Sequence, residues 1–449
     1  MGGVLIPMGL LAWVLGIDFL LVLAVIVSVF QASSVLNFIS PINYSLSPYY
    51  FVCLLIASRM LLTWRTDAWL APLRGSSGKF FRRLLYFALW STFSAFALPL
   101  LFEGVAVYNP RIGVDDQYYG LTPLVWSLAN LSQIIYLWLN VLVLLAVWYC
   151  GENETLLQRI RRSFQGVGLI VILLGLYQKG CIAFGWLYPV DFLYSNLQLQ
   201  ISEDLGGATR LSSTFSEPSL FSAFLVAYIL FVINQRAKTQ VYMWLKSVLL
   251  LLAGVNLVWS EASTGYATFV LIFAGLIFFR VIKPLLAHGR IDIKWLLVIV
   301  TLLIGMGVVA IYMGDTIDRV LFQKGDSLSA VYRWEADWYA VQLFFETGGL
   351  GVGLGSNRPS SFLTFLLSTV GLPGTFLFFS IVGAQTGMLA HARKKQRNIN
   401  ESDIDAATWS WFGVLLSMSI AIPDIASQLL WVMWIMLLVS IRQVIFHIR

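Results

Sequence analysis

Four short runs of the 449-residue sequence bring cations, carboxylates, hydroxyls and glycines close enough to act together. In the first, Arg210, Ser216, Glu217 and Pro218 stand just before an apolar stretch. Pro218 suits the first position of a helix and Ser216 its cap. A helix N-terminus there would turn its positive end toward an anion beside Arg210. A plain cap with an interfacial arginine is the other reading. The second run, Ser260 to Gly265, holds Glu261 and Ser263 between two apolar segments; as a turn, it would only satisfy backbone groups. The third, Tyr332 to Tyr339, repeats aromatics at helical spacing around Arg333, Glu335 and Asp337, which predicts an amphipathic interfacial helix over 328–346. Arg333 and Asp337, four apart, would pair on its surface. Equally, rings beside carboxylates are what sugar binding uses. The fourth runs from Gly348 to Ser361 and includes Gly351, Gly353, Gly355, Asn357 and Arg358. Its glycines permit either close approach to a ligand with an anion nest of N–H groups, or a re-entrant turn. A dinucleotide fingerprint is excluded, because that motif needs a preceding strand and a βαβ unit.

Other chemistries are missing from these runs by residue type alone. His288, His391 and His447 all map to the basic loops described below. The acidic runs therefore lack a histidine base or metal ligand, and the chain offers no Ser-His-Asp triad, zinc motif or phosphate-binding lysine loop. No metal and no cofactor is expected. Cys53, Cys150 and Cys181 lie in apolar runs without paired spacing, so no disulfide framework is expected either.

Positioning these residues falls to a chain that is 59% hydrophobic and 12% charged, with a mean hydropathy of +0.80. A soluble domain carries roughly a quarter charged residues. The composition excludes a soluble enzyme, a secreted protein and a nucleic-acid binder. About 20 apolar residues cross a bilayer, and about twelve segments qualify: 10–30, 48–64, 84–102, 121–148, 164–186, 218–234, 246–260, 264–281, 295–313, 361–387, 407–423 and 425–445. The expected fold is an all-α, polytopic membrane protein, one integral domain over 1–449, with a large outer loop between spans 9 and 10. With a cytoplasmic N-terminus, 22 of the 29 basic residues fall in inner loops, as the positive-inside rule requires. Both termini are then cytoplasmic, and the segments 187–217 and 314–360 are outer and hold the candidate site. Asp18 and Lys179 fall within spans, where a charge is a functional suspect.

The order of Arg210, Phe215-Ser216-Glu217-Pro218-Ser219, then Ser260, Ser263-Thr264-Gly265-Tyr266, then Gly351-Val352-Gly353-Leu354-Gly355-Ser356-Asn357-Arg358 resembles the Wzy-type O-antigen polymerase family, within the O-antigen ligase/polymerase superfamily. The match runs from about residue 205 to 385. The resemblance implies a metal-independent glycosyltransferase at the periplasmic side of a Gram-negative inner membrane. Such enzymes move a growing glycan from undecaprenyl pyrophosphate onto a lipid-linked repeat unit. Partners implied are that lipid-linked oligosaccharide, membrane lipids, a chain-length regulator and a flippase. Arg210, Arg333 and Arg358 match positions where the family places functional basic residues. In such a reaction arginines stabilise the departing pyrophosphate, a role for Arg210 and Arg358 with Arg333 as a third. Glu217 is the base candidate, with Glu335 and Asp337 as alternatives; unassisted attack is also open. Ser216, Ser263, Glu335, Asp337, Gly353, Gly355 and Asn357 are the expected substrate contacts. Related ligases carry a histidine in the large outer loop; none is present, which favours polymerase over a ligase-type transferase. A lipid-linked sugar flippase or other transporter fits the span count equally, although transporters concentrate polar sites at midplane. A non-catalytic assembly partner is a third reading.

Overall fold

Each apolar run with a good stop signal becomes a helix. The structure is a computed structural model and describes residues 1–38, 44–63, 71–74, 77–108, 120–150, 153–197, 210–236, 239–289, 300, 328–395 and 401–446. In chain order the helices are α1 (Gly2–Leu15), α2 (Ile17–Val27), α3 (Pro48–Leu62), α4 (Gly78–Leu101), α5 (Leu128–Cys150), α6 (Glu154–Phe184), the single turn α7 (Val190–Leu193), α8 (Pro218–Asn234), α9 (Gln240–Trp259), α10 (Ser263–Ile277), α11 (Leu328–Glu346), α12 (Phe362–Lys395), α13 (Glu401–Ala421) and α14 (Gln428–Phe446). Past Ile277, α10 continues through a π turn to His288. Two small antiparallel ribbons complete the described elements: β1 (Leu36–Phe38) with β2 (Tyr44–Leu46), and β3 (Ala106–Tyr108) with β4 (Leu121–Pro123).

Local chemistry sets the helix ends. Asn153 accepts the N–H groups of Thr155 and Leu156 at the start of α6, and Gly185, at φ 69°, closes its other end. Thr239 caps α9 through the N–H of Tyr242. Among the described residues, seven helices are long and apolar enough to cross a membrane: α4, α5, α6, α9, α10 with its continuation, α12 and α13. Five shorter apolar helices, α1, α2, α3, α8 and α14, pack among them. Along α8 every residue from Phe221 to Val232 is buried, against α9, α10 and α13. The perimeter is apolar as well, with Leu89, Phe93 and Leu100 of α4 and Trp244 and Leu251 of α9 exposed. An apolar rim around an apolar centre is the pattern of an all-α, multi-pass membrane protein.

The bundle has two polar ends. One, the basic face, carries the ion pairs Arg161–Asp403, Arg280–Asp405 and Arg393–Asp405. The other, the site face, gathers residues 28–38, 44–47, 185–197, 210–217, 260–262, 328–361 and 422–427. The chain leaves the described residues at Gly289, on the basic face, and returns in α11 on the site face. The span expected at 295–313 lies outside the described residues, apart from residue 300, as do 198–209 and 314–327 of the two outer segments.

One expectation is corrected. The first apolar run is two helices broken at Gly16, whose φ of 132° no helix accommodates. Trp13 donates to the Ser58 hydroxyl (3.0 Å) near the basic end of α3, whereas the backbone of Gly2 lies against Val35 on the site face. So α1 and α2 form a hairpin. Toward the end of α14, Arg442 donates to the Trp148 carbonyl (3.0 Å) near the basic face, so Gly2 and Arg442 lie toward opposite ends of the bundle.

Candidate functional site

The loop from Arg210 to Glu217 dips among helices, with Leu211 to Ser216 all buried. Backbone at that depth must find partners inside the protein, and it does. The Gln178 Oε1 accepts the N–H groups of Ser212 (3.1 Å) and Ser213 (2.8 Å). The hydroxyls of Tyr188 (2.9 Å) and Tyr194 (2.7 Å) donate to the Ser213 carbonyl. Thr214 bonds in both directions to the α2–β1 loop, its hydroxyl donating to Val29 (2.7 Å) and its carbonyl accepting from Ala32 (3.2 Å). Gln178 is thus a positioning residue that the sequence did not single out.

Among the described residues, two that are not glycine have a left-handed φ: Ser213 at 51° and Glu261 at 48°. Such conformations cost on the order of 1–3 kcal/mol and concentrate at functional sites. Ser213 lies in the loop that follows Arg210, and the Glu261 carbonyl accepts from the Arg210 guanidinium. Burial pushes the Arg210 pKa down; the Glu261 carboxylate opposes this, the Arg333 cation adds to it, and Tyr266 and Glu217 oppose it. Arg210 nevertheless stays protonated, as arginine does in proteins. Arg210, Glu217, Glu261, Tyr266 and Arg333 therefore share one electrostatic neighbourhood.

Glu217 is exposed, and its Oε2 accepts from the Ser219 hydroxyl (2.9 Å). It occupies the cap position of α8 with Pro218 next, as expected for the proline but not for Ser216, which is buried and does not cap. Ser263 opens α10 directly after the strained turn. The two intramembrane charges are satisfied structurally. Asp18 accepts from the Asn153 amide (3.0 Å) on the basic face, and Lys179 lies 5.7 Å from the Trp259 ring centroid.

Helix α11 forms as expected, with Trp334, Trp338 and Phe345 exposed along one side and Ala336, Ala340 and Leu343 buried on the other. Its Asp337 makes no ion pair with Arg333. Instead, Oδ1 accepts from the N–H groups of Ser360 (2.8 Å) and Ser361 (3.0 Å) and from the Thr364 hydroxyl (2.7 Å), while Oδ2 accepts from the Ser360 hydroxyl (2.6 Å). Asp337 caps α12 from a neighbouring helix. Asp337→Ala should therefore destabilise the purified protein by about 2 kcal/mol, read as a lower Tm, because two buried N–H groups lose a charged acceptor. Glu335 is exposed; burial first and Glu335 second push the Tyr108 hydroxyl pKa up.

The glycine run does not form an anion nest. Helix α12 breaks at Gly371 (φ 66°, ψ −168°), two residues before Pro373. Pro373 has no N–H for the Thr369 carbonyl, and the Leu372 N–H turns to Gly349 (2.8 Å) rather than Ser368. Two helix carbonyls are left over. The N–H of Val352 donates to Ser368 and that of Gly353 to Thr369, both at 2.8 Å, replacing the two missing bonds. The Gly351 N–H goes to Thr347 (3.0 Å) and the Leu354 N–H to Ser94 (3.4 Å). At Gly353, φ is 101° and a side chain would overlap Ser94 and Pro99; at Gly355 it would meet Ala129 and Asn130. Asn357 is buried, accepting from the Tyr108 N–H (3.0 Å) and donating to Ser368 (3.0 Å). Gly353, Gly355 and Asn357 thus hold the fold of the site.

Arg358 projects an exposed side chain from this run, while its N–H donates to the Tyr108 carbonyl (3.2 Å). Its charge faces Asp424, in the turn between α13 and α14, and not Arg210. Arg210 and Arg333 are brought together; Arg358 sits beside a separate acid. A continuous rim joins the two, since Arg358 is two residues (at most about 7 Å of chain) from Ser360, which bonds Asp337, one helical turn from Arg333. An open cavity of about 410 Å³ between β4 and the glycine run is lined by Val107, Trp126, Ser127, Gly355 and Ser356 and has no charged lining among the described residues. It is not where the charges collect. The chain matches no protein-family model and no curated protein.

Proposed function

We propose that this chain is a metal-independent polysaccharide polymerase. It transfers a growing glycan from undecaprenyl pyrophosphate to a lipid-linked repeat unit, with O-antigen, capsule or exopolysaccharide as product. One observation carries the reading: the half-buried Arg210 is anchored by a strained turn next to Arg333, with Glu217 and Glu261 in reach, at the polar end of an apolar helix bundle. Displacement at an anomeric carbon builds negative charge on the leaving diphosphate. Fixed guanidinium groups in a partly dry site stabilise that charge far better than water-exposed ones. Arginine also matches phosphate with a planar pair of donors. The exposed aromatic side of α11 fits the membrane interface, where a lipid carrier presents its headgroup.

On this reading the site face is periplasmic and the membrane is the bacterial inner membrane. With α1 and α2 counted separately, the first apolar run contributes two crossings where hydropathy suggests one. The test is to incubate purified full-length protein with lipid-linked repeat units alone, without added metal or nucleotide. Oligomers of increasing length support the polymerase. Movement of the lipid-linked sugar across a vesicle membrane without oligomers overturns it in favour of a transporter.

A further inference from the structure

Transfer of a glycan to a hydroxyl releases a proton, and the carboxylates differ sharply in how well they could take it. Asp337 is spent on four hydrogen bonds. Glu217 and Glu335 are exposed. Asp424 is half-buried and held. Its Oδ1 accepts from the Ala426 N–H (2.8 Å) and from the Gln133 amide (3.2 Å), and its Oδ2 accepts from no donor among the described residues.

The surroundings of Asp424 are built for a hydroxyl-rich guest. Ser427 and Gln428, in and after the same turn, are both 8% exposed, yet the Ser427 hydroxyl and the Gln428 Oε1 have no hydrogen-bond partner among the described residues. The Gln133 Oε1 is likewise buried without one. Their other polar atoms are fixed: Gln428 Nε2 donates to the Ser47 hydroxyl (3.0 Å), and the Ser427 N–H donates to the Asp424 carbonyl (3.1 Å). Unspent acceptors of this kind cost free energy unless a donor arrives, and sugar hydroxyls are donors. The rings of Tyr50 and Tyr136 stack beside them at 3.8 Å, with the Tyr50 hydroxyl donating to the Ala426 carbonyl (2.5 Å) and the Tyr44 and Tyr136 hydroxyls bonded to each other.

We propose that this cluster is the acceptor-sugar subsite and that Asp424 is the base of the transfer. The inference rests on the polymerase reading and adds a subsite to it. Gln133, Ser427 and Gln428 take hydroxyl hydrogens of the acceptor sugar and aim its reacting hydroxyl at Asp424 Oδ2. As the hydroxyl oxygen bonds to the anomeric carbon, its proton passes to Oδ2. The bond from that carbon to the diphosphate oxygen breaks, and its electron pair leaves with the diphosphate. Arg210 and Arg333, along the rim from Arg358, meet the charge that leaves. No oxidant or further reactant is required.

Among the described residues, the charged and titratable groups facing Asp424 are Arg358 from the glycine run, Tyr50 of α3 and Tyr136 of α5. Burial raises the Asp424 pKa above the ordinary aspartate value, against the pull of the Ala426 N–H, Arg358 and Gln133. A base must be deprotonated to work, so the rate should fall as pH drops through that raised value.

The experiment measures initial rates of oligomer formation from lipid-linked repeat units, across acid to neutral pH, for the purified wild-type protein, Asp424→Asn, Asp424→Glu and Gln428→Ala. Expected is a loss in kcat of roughly 100-fold or more for Asp424→Asn, with KM nearly unchanged and the acid limb of the profile gone. Asp424→Glu should recover part of the rate with a shifted limb, and Gln428→Ala should raise KM more than it lowers kcat. Wild-type rate and acid limb in Asp424→Asn overturn the proposal while leaving the polymerase intact. A low rate in Asp424→Asn together with a Tm far below wild type and no recovery in Asp424→Glu also overturns it, because the role is then structural. A wild-type protein that makes no oligomers overturns the polymerase reading itself.

Discussion

Arg210→Ala should lower polymer synthesis by roughly 100-fold or more, the usual consequence of removing one donor aimed at developing negative charge, while the protein still accumulates in the membrane. The expectation follows from what Arg210 does and does not support. Among the described residues its side chain bonds the Glu261 carbonyl alone, which lies in a turn between two helices that are packed independently of it. The loop that carries it is held from Leu211 onward by Gln178, Tyr188, Tyr194 and Thr214, none of which uses the arginine side chain. Loss of the guanidinium should therefore remove charge without collapsing the loop. Arg210→Lys should recover little, since one ammonium lacks the planar fork that bonds a carbonyl and an anion at once. Chain-length ladders from membranes with matched protein levels, followed by rates of the purified variants, check the result. A normal ladder from Arg210→Ala would remove the arginine from the chemistry.

How far the sequence alone reaches is clearest at particular residues. Helix α8 spans the residues expected of it because Pro218 starts it and an unbroken apolar run follows. Hydropathy could not separate α1 from α2, since both are apolar and only the backbone at Gly16 distinguishes one long span from a hairpin. In the site, the meeting of Arg210 and Arg333 was legible only through motif order, 123 residues apart in the chain. Asp337 looked like half of a helix-surface pair, because local spacing is visible in a sequence and a serine pair arriving from another element is not. In the sequence, Asp424 is a single acid in the short stretch between two apolar segments. What sets it apart, the Gln133 amide and the unspent acceptors around it, comes from α5 and α14. The lone Gln133 in an apolar helix was the available hint.

The glycine run supplies the strongest structural prediction. Gly371→Val should destabilise the protein by about 3 kcal/mol or more. The φ and ψ of Gly371 lie in a region that is essentially glycine's alone, and a built Cβ would come within 2.3 Å of the Leu350 carbonyl oxygen and 2.5 Å of that of Gly349. Relief requires the run to move away. The bonds from Val352 to Ser368, from Gly353 to Thr369 and from Leu372 to Gly349 then go together, each worth on the order of 1 kcal/mol. Asn357 and Arg358 ride on the same segment, so Arg358 should lose its place beside Asp424 and polymer synthesis should fall with stability. Gly387→Ala, in the same helix at a position where a Cβ meets nothing within 4 Å, should leave both unchanged. Thermal melts of the two purified variants separate the cases. Should Gly371→Val melt with the wild type, the broken helix would not depend on the glycine run, and the close approach would need another cause.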